Sequence, residues 1–156
     1  MDPAEPSTRV LLLVAGLWRW PHCAQSALSK LRTSNPAVHS WSVVIVTDNT
    51  TICSMKQVLR DFGGTCPPTS PDAITHSVRS NFPEARILYY TSSQNEPLMI
   101  DARVTRMDSP FFARLRLAMR SELRDWFMRH DVMFVLRPET VLTAPVLLNH
   151  PALRNA

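Results

Sequence analysis

Three stretches of the chain place a residue that can hold phosphate, a nucleobase or a cation directly after an apolar run. They are Gly16-Leu17-Trp18-Arg19, Thr47-Asp48 and Arg137-Pro138-Glu139. The planar fork of Arg19 matches two oxygens of a phosphate, although an arginine after a strand is also ordinary surface chemistry. Asp48 can accept hydrogen bonds from a base or a ribose; Asp48-Asn49 is equally a common turn pair. Glu139 offers a hard oxygen ligand that, with phosphate oxygens, suits magnesium or manganese, and it can as well be a surface carboxylate after a proline.

Other chemistries lack their residues. There is no GxGxxG or GxxxxGK loop, no GxSxG elbow and no HExxH helix, and the five histidines, His22, His39, His76, His130 and His150, show no ligand spacing. The three cysteines are odd in number and show no CxxC spacing, which reads as reduced thiols in a cytoplasmic protein. Asn49-Thr50-Thr51 fits a glycosylation acceptor, a triplet that matters only in a secreted chain. The net charge of +4 permits an anionic partner, but the cations are almost all scattered arginines, with Lys30 and Lys56 the two lysines. Nucleic-acid binding by a basic patch is therefore not expected. The apolar run Val10 to Trp18 falls well short of the ~20 residues of a membrane span, and no span is expected.

The elements that would carry these residues alternate. Val10 to Ala15 is a continuous apolar run of the kind a central parallel strand shows, and Gly16 ends it. Pro21 and the spacing of Cys23, Ala27, Leu28 and Leu31 predict a helix over 22–33. Ser42 to Thr47 reads as a second strand stopped by Asp48-Asn49. The stripe Ile52, Met55, Val58, Leu59, Phe62 before Gly63-Gly64 predicts a second helix. The proline-rich stretch 65–83 reads as irregular with a short helix near 73–81; Arg86 to Thr91 is a third strand and Ser92 to Asp108 a long loop.

A helix is expected over 109–129, capped by Ser109 and Pro110, with Phe112, Leu115, Met119, Leu123, Trp126 and Phe127 as its core face. Arg114, Arg116, Arg120 and Arg124 share the neighbouring arc, which usually means a solvated face. Val132 to Leu136 completes the set as a fourth buried strand. Residues 1–8 read as a disordered N-terminal segment, 9–150 as one domain and 151–156 as a tail.

This alternation predicts an α/β fold, a mostly parallel sheet with helices on both faces. Ligands of such sheets bind outside the carboxyl ends of the strands, so the expected site lies in four loops: 16–19, 47–49, 91–93 and 137–139.

The order of these blocks, with Gly16 and Arg19 after the first strand, Val46-Thr47-Asp48 after the second, and the run from Asp131 to Glu139 at the end, resembles the nucleotide-diphospho-sugar transferase superfamily. The resemblance covers most of Arg9 to Pro145, and its most specific part is the final block, where a strand ends in Arg-Pro-Glu. It implies a Rossmann-like half of a GT-A-like glycosyltransferase that takes a nucleotide-sugar donor and passes the sugar to an unknown acceptor. Gly16, Trp18, Arg19, Thr47, Asp48 and Arg137 would then form the nucleotide-sugar site, and Glu139 would hold a manganese or magnesium ion. The chain departs from the family pattern at Val135, where an arginine is common, and at Glu139, where aspartate is common. The family's acceptor half would follow the region present here. The reading from another class is a non-catalytic α/β interaction module or inactive relic that keeps the fold without turnover.

Overall fold

The computed structural model describes residues 8–48, 56, 60, 66–90, 115, 116, 118, 119 and 123–148. Within them the chain forms β1 (Arg9–Ala15), α1 (Pro21–Ser34), β2 (Ser40–Asp48), α2 (Pro71–Asn81), β3 (Arg86–Tyr90), α3 (Arg124–Phe127) and β4 (Val132–Leu136). The four strands make one sheet in the order β3-β2-β1-β4, and every neighbouring pair is parallel. The expected α/β fold with a parallel sheet is what the chain adopts.

β1 sits between β2 and β4, and Val10 through Ala15 are all essentially sealed from solvent. A strand covered on both faces needs apolar side chains at every position, which its Val-Leu-Leu-Leu-Val-Ala run supplies. Leu12 and Val14 point into one core with Ile45, Ala24, Leu28 and Leu31 of α1, and Ile74 and Val78 of α2. Leu11, Leu13 and Ala15 point into a second with Val44, Val46, Ala118, Leu123 and Phe127. Helical segments thus cover both faces.

The local signals explain the helix boundaries. Pro21 opens α1, its fixed φ suiting a first helical position, and Pro71 does the same for α2. At α2 the Ser70 hydroxyl also accepts the Ala73 N–H at 3.2 Å, a side-chain cap. α2 is longer than the sequence indicated, because proline and serine read there as irregular chain are its cap and first turn.

Four expectations need correction. The helix foreseen over 109–129 does not run unbroken to its end: Leu123 lies in a turn and caps α3, which has four residues. Met119, assigned to the core, is 37% exposed while Ala118 beside it is buried, so small Ala118 meets the sheet. β4 is not buried on both faces. It pairs only with β1 among the described strands, and Met133 and Val135 are exposed while Phe134 and Leu136 pack on the α1/α2 core. Nor are all thiols reduced: Cys66 is disulfide-bonded, while Cys23 is free. The helix foreseen from Thr51 and the loop from Ser92 lie outside the described residues apart from Lys56 and Arg60, which are helical and exposed.

After β4 the chain crosses to α1. The Lys30 ammonium donates to the Leu142 carbonyl, and Asn35, at the C-terminal cap of α1, grips the segment beyond. Its amide nitrogen donates to the Leu31 and Val146 carbonyls at 2.8 and 2.7 Å, and its oxygen accepts the Leu148 N–H at 2.8 Å. No helix among the described residues is long and apolar enough to cross a membrane.

Candidate functional site

Because all four strands are parallel, Gly16, Thr47-Asp48, Tyr90 and Arg137 lie at one edge of the sheet. The strand order reverses between β1 and β4: the chain steps from β1 to β2 to β3, then returns to the other side of β1. That reversal is the switch point at which sheets of this class hold ligands. The loops that flank it are 16–20 and 137–140.

Gly16 continues the ladder by one bond, its N–H donating to the Val46 carbonyl at 3.0 Å. Its φ of +155° is one that L side chains rarely adopt, and Pro138 lies directly against it. Pro138 is buried, while Arg137 and Glu139 on either side are exposed. The turn is closed by the Thr140 N–H on the Arg137 carbonyl at 3.0 Å and by the Arg137 N–H on the Thr140 hydroxyl at 3.1 Å. One residue of the Arg-Pro-Glu block therefore packs against β1, and its two charged residues face solvent.

Trp18 is fully buried. Its indole N–H donates to the Ser77 hydroxyl at 2.9 Å, and its ring meets Phe82 edge-on with centroids 6.1 Å apart. Trp18 thus anchors the loop in the α1/α2 core and fixes where Arg19 leaves it. Arg19 is half-buried and its Nε–H, sealed from solvent, has no hydrogen-bond partner; the same holds for the hydroxyl of Thr47, a residue with no exposed surface. Asp48 is half-buried at the end of β2. Asn49 and residues 91–93, the rest of the expected four-loop site, lie outside the described residues.

The electrostatics of this edge are asymmetric. α1 starts here with no side-chain cap and no acidic residue in its first turn to offset the positive end of its dipole. α2, in contrast, has the Ser70 cap and Asp72. A sealed polar atom without a partner costs roughly 1–3 kcal/mol, so a ligand or water that met Arg19 Nε–H or the Thr47 hydroxyl would recover that cost. Glu139 is one exposed carboxylate, and among the described residues no three His, Cys, Asp or Glu side chains cluster as a metal site. A cation here would need phosphate oxygens and water to complete its shell, an arrangement magnesium accepts.

The larger of the two cavities described, about 620 Å³, lies at the opposite, amino edge of the sheet. Arg86 opens β3 there and its guanidinium sits 4.4 Å from the centroid of Trp126, forty residues later in the chain. No motif spacing links the two, so sequence reasoning had no signal for this region.

No protein-family model matches the chain, and neither a curated protein nor a solved structure matches it significantly.

Proposed function

We propose that the chain is a nucleotide-sugar-binding domain of glycosyltransferase type whose donor diphosphate lies at the carboxyl edge of the sheet, between Arg19 and Arg137. The observation that carries this reading is the two sealed, unpartnered polar groups, Arg19 Nε–H and the Thr47 hydroxyl, at the same sheet edge where α1 starts without a side-chain cap. A diphosphate is the ligand that answers both the guanidinium fork and the positive helix end. Asp48 takes the ribose or base. Gly16 and Trp18 hold the loop in place, and Glu139 would be the protein ligand of a magnesium or manganese ion; when bound, that ion would neutralise charge on the leaving diphosphate. The sugar is then passed to an acceptor.

Isothermal calorimetry with uridine and guanosine diphosphates, with and without manganese, tests the reading. Binding should weaken about tenfold in Arg19→Gln, as expected for one lost charge-assisted contact, and lose its metal dependence in Glu139→Ala. A folded protein that binds neither nucleotide discards it.

The second reading is a non-catalytic α/β module. What favours it is the lack of a metal-ligating cluster among the described residues. Nucleotide binding without turnover of a nucleotide sugar would select it.

A further inference from the structure

We propose that the cavity at the amino edge of the sheet binds a planar aromatic monoanion, a ring that carries a carboxylate. This site is separate from the carboxyl edge and does not depend on the function proposed there. Its volume of about 620 Å³ falls within the ~300–1,000 Å³ of small-molecule sites.

Its apolar walls are Trp41, Phe82 and Trp126. The two indoles are held by neighbours. Trp41 donates its ring N–H to the Val38 carbonyl at 3.1 Å, and Trp126 meets the His130 ring edge-on with centroids 4.8 Å apart. Arg86 lies over the Trp126 ring at 4.4 Å and is itself exposed, so a flat ligand can continue the stack on the outer face of the guanidinium.

The charge at the cavity selects an anion. Arg32 and Arg86 both line it, and neither guanidinium has an ion pair or hydrogen bond among the described residues. Other arginines nearby are committed: Arg79 donates to the Pro83 and Ala85 carbonyls, and Arg9 to Asp131. Glu84 also lines the cavity, and its charge offsets one of the two guanidinium charges. Two guanidinium groups against one carboxylate leave a net single positive charge, which fits a monoanion better than a diphosphate. A carboxylate also fits the planar fork in bidentate fashion.

Benzoate serves as the probe, followed through the indole N–H signals of Trp41 and Trp126 in nitrogen–proton correlation spectra. Acetate and benzyl alcohol, which carry the charge and the ring separately, are the controls. Benzoate should shift both signals saturably, and its dissociation constant should rise about tenfold in Arg86→Gln. Arg32→Gln, an exposed position on α1, should weaken binding as well and carries the test if Arg86→Gln unfolds. Absence of a saturable shift, equal binding of benzyl alcohol and benzoate, or unchanged affinity in folded Arg32→Gln and Arg86→Gln would each overturn the proposal.

Discussion

Gly16 and Pro138, the first residue after β1 and the second after β4, meet at the point where the strand order reverses: a Cβ on Gly16 would stand 2.7 Å from Cδ of Pro138. The contact sets how closely the Arg137–Thr140 turn approaches β1, and so where Arg137 and Glu139 stand relative to the loop of Arg19. Glycine is needed twice over, for its φ of +155° and for the missing methyl group.

Gly16→Ala should therefore destabilise the fold by about 1–3 kcal/mol, the range for strained backbone positions. Adding Pro138→Ala should return part of that loss, because it relieves the contact and leaves the φ penalty. Urea denaturation of the two variants measures the difference. Equal stability of both would show that Pro138 does not bear on Gly16.

Asn35 satisfies three backbone groups at once and ties the segment after β4 to α1. Asn35→Ala leaves partly buried peptide groups without partners, at a cost of roughly 1–3 kcal/mol. Amide exchange should accelerate at Leu148, whose N–H the side chain accepts, while the amides of β1 keep their relative protection. Unchanged exchange at Leu148 would contradict the clamp.

Asp131 ties β4 to the start of β1. Its carboxylate accepts the Arg9 backbone N–H at 2.7 Å, and its own N–H donates to the Arg9 carbonyl at 2.9 Å. The backbone hydrogen bond from Arg9 is the main cause that holds the Asp131 carboxyl below its ordinary value of 3.8, followed by the Arg9 side chain. A carboxyl with a lowered folded pKa adds stability that is complete above its ordinary value and lost as pH falls through the lowered one. Asp131→Asn should flatten the acid limb of the stability–pH curve below pH 3.8 and leave the slope at neutral pH unchanged. Thermal melts between acid and neutral pH read this directly; an identical acid slope in the variant would refute it.

Phe127, 5% exposed, is the aromatic anchor of α3, whereas Trp126 is half-buried and turned towards Arg86. Phe127→Ala should cost about 3–5 kcal/mol, and Trp126→Ala less than about 2 kcal/mol, since it loses partial burial and one cation–π contact. Calorimetric melting of the two variants ranks them. A larger loss at Trp126 would reverse the orientation assigned to α3.

The sequence by itself determined the elements whose signal is local. Continuous apolarity marks β1, proline at a first turn marks the start of α1, and the bounds of β4 coincide with the run Val132 to Leu136. Alternation of such elements was enough for a parallel sheet and for an expected site at its carboxyl edge. What only the tertiary structure decided depends on partners far away in the chain. Apolarity of β4 could not tell a central strand from an edge one, because exposure of Met133 and Val135 is set by what lies beside and above them. The helical wheel put Trp126 and Phe127 in the core together; Phe127 is buried there, while Trp126 packs half-buried against the same cluster with Arg86 over its ring, a partner forty residues away. Trp18 and Arg19 are adjacent in the loop, yet one is sealed in the core and the other brings a sealed Nε–H to the edge of the sheet. That division follows from the packing of Ser77 and Phe82 against the indole, about sixty residues away in sequence, where no local pattern reaches.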